Sequence, residues 1–170
     1  VRFLGNRSSG KMGHAIADAA ATRGASVTLI TTTKQPVPFG ATVVEVETAE
    51  QMATAVFAAA PTADIVVMAA AVADFRPKAI EREKLKKNDG VPEIVLEPTP
   101  DILAELGSTK VAGQVLVGFA AETERIHEHA AAKLAAKRVD LIVANDVSDP
   151  EAGFEVDTNR AVLLDANGSV

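Results

Sequence analysis

The apolar positions of this chain fall into short runs separated by amphipathic, alanine-rich stretches, so periods of two and of 3.6 residues alternate. Val1 to Leu4, apolar but for Arg2, opens the chain with a strand-like run. Lys11 to Arg23 carries good helix formers and stops at Gly24, a residue suited to a helix C-terminus. Ala25 to Thr31 is short and β-branched, which predicts a strand. Two prolines and a glycine make Thr33 to Gly40 a loop, and Ala41 to Val46 predicts a further strand. Thr48 is placed to cap a helix to about Ala60, with Met52, Val56 and Ala59 or Ala60 on its inner face. Ala63 to Ala70 is an apolar run broken only by Asp64 near its start, as expected of a central parallel strand buried on both faces.

The character changes after this. Ala79 to Gly90, with its core Glu81 to Asp89, is too charged to bury much and interrupts the alternation. It reads either as a lid beside the ligand edge of a sheet or as a solvated surface hairpin. β character resumes from Pro92 to Leu96. Thr99-Pro100-Asp101 opens a short helix to about Leu106, with Thr99 as N-cap and Pro100 at the first helical position. Val115 to Ala121 predicts another buried strand, ending at Glu122-Thr123. The next helix runs to about Arg138 and buries Ile126, Ala130 and Leu134. Val139 to Ala144 is a strand, Asn145 to Ser148 a polar turn, and Asp149 to Asn159 a loop. Arg160 to Asp165 reads as a late antiparallel edge strand. The sum is an α/β, Rossmann-like chain: a mostly parallel open sheet with helices on both faces, a charged flap and a late antiparallel edge strand. Ligands of such sheets bind beyond the carboxyl ends of the strands.

Composition narrows the classes. The 170 residues suit a single domain, and with 48% apolar residues and few aromatics the core must be built from Ala, Val, Ile and Leu. A net charge of −6 argues against a general nucleic-acid or anionic-membrane surface. The absence of cysteine excludes disulfides and thiolate metal sites, and fits a cytoplasmic setting. No apolar run approaches the ~20 residues of a membrane span, and there is no signal-peptide pattern. Opening at Val1 and closing just after a strand at Asn167 to Val170, the chain reads as a fragment of a longer one. No internal repeat, linker or metal cluster stands out, and the three histidines read as unpaired surface residues.

Candidate chemistry concentrates at strand ends. Gly5 to Met12 matches a P-loop up to its last position, where Met12 replaces the hydroxyl that holds Mg²⁺. Ser8 to Gly13 resembles a dinucleotide fingerprint with Ser8 for the first glycine, and Thr31-Thr32-Thr33 stands where the ribose acid belongs. The loop therefore suits an anion but neither common class; Ser8, Ser9 and Lys11 add donors that a turn built only for packing does not need. After the apolar run ending at Ala70, Ala71-Val72-Ala73 would let a ligand approach the backbone, and Asp74 either serves that ligand or caps a turn. Arg125, His129, Lys133 and Lys137 recur every fourth residue; each step drifts by roughly 40°, so Lys133 and Lys137 share a face and Arg125 does not. That pair suits a polyphosphate or forms a solvated basic stripe.

Six blocks then fall in order: Asn6 to Gly13, Ala70 to Arg76, Lys84 to Lys87, Pro100 to Ile102, Gly118 to Thr123 and Ala144 to Ser148. Together they resemble bacterial phosphopantothenate–cysteine ligases, also called phosphopantothenoylcysteine synthetases, over essentially the whole chain. In most bacteria that enzyme is the C-terminal half of a bifunctional coenzyme A biosynthesis protein fused to a flavin-dependent decarboxylase. The resemblance implies a CTP-dependent ligase that joins 4′-phosphopantothenate to cysteine through an acyl-cytidylate, releasing pyrophosphate and CMP. It implies that Asn6 polarises the acyl oxygen and that Ser8, Ser9, Gly10, Ala70 and Ala71 line the phosphate and acyl groups. By the same resemblance Asp74, Phe119, Lys133, Lys137 and the segment Pro100, Asp101, Ile102 and Leu103 hold CTP, the segment reading cytosine with backbone groups. Lys84 on the charged run closes over the site as a catalytic and CTP-binding residue. Mg²⁺ is expected with CTP, with no ligand set visible, and FMN only in the decarboxylase half. A homodimer, larger when fused, is implied as well. A dinucleotide oxidoreductase and a catalytically silent nucleotide-binding module on the same fold are the competing readings.

Overall fold

The computed structural model describes residues 4–6, 8–79, 93–122, 125–146 and 161–169. The expected strand at Val1 to Leu4 (Leu4 excepted), the charged run from Glu81 to Gly90 and the loop from Asp149 to Asn159 lie outside these residues.

The first helix, α1 (Lys11–Thr22), ends as its sequence predicts. Gly24 takes left-handed backbone at φ 86, and the N–H groups of Gly24 and Ala25 reach back to Ala21 (2.9 Å) and Ala20 (3.1 Å). Two carbonyls of the last turn are thereby satisfied. Strands β1 (Thr28–Thr31) and β2 (Thr42–Glu45) pair in parallel, Thr28 opposite Thr42, so residues 32–41 return along the strand without a helix. Helix α2 (Ala49–Ala59) begins on a reciprocal cap: Gln51 N–H donates to the Thr48 hydroxyl, and the Gln51 carbonyl accepts from Thr48 N–H. Met52, Ala53 and Val56 then face the core.

Five strands form the main sheet in the order β3 (Ile65–Met68), β6 (Val115–Glu122), β7 (Leu141–Asp146), β8 (Ala161–Asp165), β9 (Gly168–Ser169). The first three run parallel, while β8 and β9 are antiparallel to their neighbours. Between β3 and β6 the chain makes a separate antiparallel pair, β4 (Phe75–Pro77) with β5 (Leu96–Pro98), and then helix α3 (Ile102–Thr109). Helix α4 (Ile126–Lys137) connects β6 to β7. Leu116, Ile142, Ala144 and Ala130 are essentially inaccessible, and Ile126 and Leu134 pack against that centre. The apolar stripe expected of α4 is therefore its buried one.

Four expectations are corrected. Among the described residues β3 stands at the end of the five-stranded sheet and not at its centre, and Ile65 and Val67 are exposed. An apolar run fixes the tendency to form a strand, not what neighbours it finds. The late strand β8 is antiparallel as expected but is not the edge, since β9 pairs outside it. The third helix starts two residues later than expected and ends at Thr109. Its N-cap is Asp101, whose carboxylate accepts from Ala104 N–H at 3.0 Å, while the Thr99 hydroxyl donates to the Ala73 carbonyl. Finally, His14 is buried on α1, its Nδ1 3.0 Å from the Gly10 carbonyl, whereas His127 and His129 are exposed as expected.

Candidate active site

The first corner lies where the chain enters α1. Gly10 is its N-cap, in left-handed backbone at φ 73, and no side chain caps the helix. Ser8 and Ser9 hydroxyls accept from the N–H groups of Gly10 and Lys11 at 3.4 Å, which curls the loop locally. A Cβ on Gly10 would come within 2.5 Å of the Thr33 hydroxyl, so glycine is needed both for φ and for space. Thr33 is itself held by Thr31, whose hydroxyl accepts from Thr33 N–H at 3.1 Å. Gln35 donates to the Ser9 carbonyl at 3.3 Å. Thr31, Thr33 and Gln35 thus form the floor of this loop. Sequence reading gave them no part beyond the missing ribose acid, and the loop's threonines were the available signal.

Beyond β3 the segment 69–74 supplies the other wall. Asn6 donates its carboxamide N–H at 3.1 Å to the carbonyl of Val72, the residue that follows Ala70 and Ala71. A primary amide has two N–H donors, and this contact uses one. The next two carbonyls of the same segment turn to a different partner: Ala73 accepts the Thr99 hydroxyl at 2.5 Å, and Asp74 accepts Thr99 N–H at 2.9 Å. One short loop therefore ties the Asn6 corner to the residue just before Pro100. Below it, Arg76 bridges Glu97 and Glu50. The Glu97 hydrogen bond leads in raising the Arg76 pKa, against a smaller opposing desolvation.

The second corner is built on α3 and α4. Asp101 caps α3 with one carboxylate oxygen and pairs with Lys137 through the other. Lys133, one turn back on the same face, donates to the Phe119 carbonyl at 2.9 Å. Partial burial pushes the Asp101 carboxyl up, but the Lys137 hydrogen bond, the Ala104 N–H and the charges of both lysines outweigh it and hold the group below its usual range. Leu103 lies over Gly118, where a Cβ would meet it at 2.8 Å. Gly107 allows α3 to approach the end of α4: a Cβ there would sit 1.8 Å from the Lys137 carbonyl oxygen. Arg125 has turned away and pairs with Glu128.

Of the residues singled out in sequence, Asn6 meets the segment after Ala70 and Ala71, and Ser8, Ser9 and Gly10 share its loop. Asp101 to Leu103, Phe119, Lys133 and Lys137 gather at the second corner, and Asp74 and Pro100 lie along the seam between them. Lys84 lies outside the described residues. A further residue that sequence reading missed is Asp140, which accepts from Leu116 N–H at 2.7 Å and from Lys110 at 2.6 Å, tying β6 to the turn before β7. A hollow of about 250 Å³ lined by Pro61 to Asp64 and Val111 to Gln114 lies at the amino ends of β3 and β6, opposite this site. Its buried amide, Gln114, is already committed to the Ala60 and Ala63 carbonyls. Among the described residues no group of three or more His, Asp or Glu is placed to hold a metal ion, and no helix is long and apolar enough to cross a membrane.

Known proteins share both the sequence and the arrangement. A Bacillus subtilis (strain 168) protein named coenzyme A biosynthesis bifunctional protein CoaBC is 48% identical over 99% of this chain and 42% of its own length. A prokaryotic protein named cysteine/cysteine sulfinic acid decarboxylase is 45% identical over all of this chain and 48% of its own. The chain thus spans less than half the length of these relatives. The crystal structure of the C-terminal domain of a CoaBC protein superposes with a TM-score of 0.81 at 39% identity, covering 100% of this chain and 77% of that one. Residues 1–170 match the family described as DNA/pantothenate metabolism flavoprotein C-terminal domain, and with these relatives beside it the chain belongs to that family.

Proposed function

We propose that this chain is the ligase part of coenzyme A biosynthesis, joining 4′-phosphopantothenate to cysteine at the expense of CTP. A pantothenate carboxylate oxygen attacks the α-phosphorus of CTP and pyrophosphate leaves, giving an acyl-cytidylate. The cysteine amine then attacks the acyl carbon, loses a proton, and CMP departs. The observation that carries this reading is the 69–74 segment: its consecutive carbonyls hold Asn6 on one side and Thr99, at the entry to α3, on the other. A carboxylate activated beside Asn6 is thereby brought next to a nucleotide held at α3 and α4. Positioning and charge neutralisation are what such transfers require, with no covalent nucleophile on the protein.

In this reading Asn6 directs its second N–H to the acyl oxygen, and the Ser8–Gly10 loop with Ala70 and Ala71 lines the pantothenate end. Asp74 and the backbone of Pro100 to Leu103 take the cytidine, and Phe119, Lys133 and Lys137 surround the phosphates. Lys84 adds positive charge as pyrophosphate leaves. Mg²⁺ accompanies the triphosphate; with no carboxylate cluster among the described residues, its ligands would come mostly from phosphate oxygens and water. The chain acts as a single cytoplasmic nucleotide-binding domain within a homodimer, and in a larger assembly where fused to the FMN-bearing decarboxylase half. The decarboxylase name of one relative describes a protein of which this chain matches 48%.

The test is incubation with CTP, 4′-phosphopantothenate and cysteine, following pyrophosphate, CMP and the amide product. Stoichiometric formation of all three is expected. Cofactor reduction with added NAD(P) in place of that chemistry would move the chain to an oxidoreductase, and CTP binding without turnover would make it a silent module.

A further inference from the structure

The two lysines of the phosphate corner are bonded to unlike acceptors. Lys133 donates to a neutral carbonyl, that of Phe119, whereas Lys137 pairs with a carboxylate, that of Asp101. The carboxylate cannot swing away freely, because its other oxygen caps α3 through Ala104 N–H at 3.0 Å. Asp101 is half exposed and Lys137 about a quarter exposed, so an anion arriving from solvent can reach the pair. Lys137 is also held at its own backbone, where its carbonyl lies against Gly107 of α3.

Resting on the nucleotide-dependent reading above, we propose that Asp101 is an intramolecular counter-anion for Lys137, which a polyphosphate must displace on binding and which reclaims the lysine as pyrophosphate leaves. The chemistry favours a chain of phosphates over a single one. A lone phosphate exchanges one anion for another at Lys137 and is left beside an unpaired carboxylate. A polyphosphate also takes Lys133, whose neutral carbonyl partner is the cheaper one to give up. The carboxyl's depressed pKa agrees with this, since Lys137 and Lys133 both stabilise its charge. Asp101 thus weakens the grip on polyphosphate in return for faster release of the leaving group, a positioning role acting through Lys137.

The probes are inorganic tripolyphosphate and pyrophosphate, titrated calorimetrically into the whole chain at low ionic strength, with CTP as a separate arm. Asp101→Asn keeps an N-cap acceptor and removes the competing charge. It is expected to tighten tripolyphosphate and pyrophosphate about tenfold, the factor given by about 1.4 kcal/mol. Pyrophosphate should become a correspondingly stronger product inhibitor. The gain should vanish when Lys137→Gln is added, which a merely structural effect of the cap would not do. If Asp101→Asn lowers the unfolding midpoint, Asp101→Ser, which also caps, replaces it. Unchanged or weaker polyphosphate binding in a folded variant would overturn the proposal, as would a gain that survives Lys137→Gln. If CTP binds but polyphosphate affinity ignores Asp101, this inference alone fails; if neither CTP nor tripolyphosphate binds, the ligase reading fails with it.

Discussion

α1 and α3 both begin at the site, and they begin differently. α1 starts on Gly10 in left-handed backbone with no side-chain cap, so its first N–H groups are shaped by Ser8 and Ser9 and by the Thr33 floor beneath. α3 starts on Asp101, whose carboxylate caps the helix and pairs with Lys137. In the proposed reaction one corner would offer backbone and small hydroxyls to its ligand; the other would offer formal charge already matched within the protein. A corner of the first kind discriminates by shape and close approach, and one of the second kind by charge and exchange. The 69–74 loop between them is bonded to both, which is why changes in either corner should be felt in a single reaction.

The largest effect should come from the backbone-built corner. Asn6→Ala removes the proposed donor to the acyl oxygen and the Val72 contact together. Turnover should fall by roughly 10²–10³, the usual loss for one donor aimed at developing charge, with CTP affinity nearly unchanged. Single-turnover pyrophosphate release measures the first quantity and calorimetry the second; a parallel loss of CTP binding would merge the two corners into one. In the charged corner the largest change is in packing. Gly107→Ala must drive α3 from the Lys137 carbonyl, and its cost should reach the upper end of about 1–3 kcal/mol, read from urea unfolding. Gly10→Ala should cost less stability, about 1–2 kcal/mol for the left-handed backbone, because the Thr33 side chain can turn away. Adding Thr33→Ala should relieve the clash but not the backbone term. If Gly10→Ala proved the more damaging of the two, the roles of close approach and conformation in these corners would be reversed.

Lys133→Ala and Lys137→Ala should each weaken CTP by about 1.5–3 kcal/mol while affecting CMP less, since only CTP carries distal phosphates. Equal losses for both nucleotides would place the lysines elsewhere. Acid sensitivity should be the smallest effect. Partial burial raises the Asp140 carboxyl, but Lys110, the Leu116 N–H and its own backbone outweigh that and hold it below its usual range. A carboxyl lowered in the folded state contributes stability that is full above its unfolded value of about 3.9 and fades as the pH falls through the lower folded value. Asp140→Asn should therefore be less stable at neutral pH and converge with the parent in acid; parallel urea midpoints from pH 7 to about pH 2 would contradict it.

How far the sequence carried depends on whether the signal was local. The Thr48–Gln51 cap, the Gly24 terminus and the shared face of Lys133 and Lys137 were legible, because each follows from helix geometry over one or two turns. Asp101 was misplaced because Thr99-Pro100 makes an equally good helix start on local grounds. What decides between them is the Ala73 carbonyl, 26 residues away, which takes the Thr99 hydroxyl. The exposure of Ile65 and Val67 and the pairing of β9 outside β8 likewise depend on neighbours that an apolar run does not name. In the candidate site, Asp74 stood out at a strand end and Lys133 in a basic stripe, the resemblance gave the roles of Asn6 and Asp101, and the contacts that join them came only from the fold. The Thr31, Thr33 and Gln35 floor had no motif to announce it, since its hydroxyls and amide act on the backbone of other residues.

The claim that both corners serve one reaction is tested most directly by leaving cysteine out. With CTP and 4′-phosphopantothenate alone, single-turnover measurement should show pyrophosphate released in an amount approaching one per site, with the cytidylyl group retained on the acyl substrate. Omitting either substrate should abolish the release. Pyrophosphate that appears only once cysteine is added, or that is formed from CTP without phosphopantothenate, would contradict a nucleotide corner acting on a carboxylate held at the Asn6 corner.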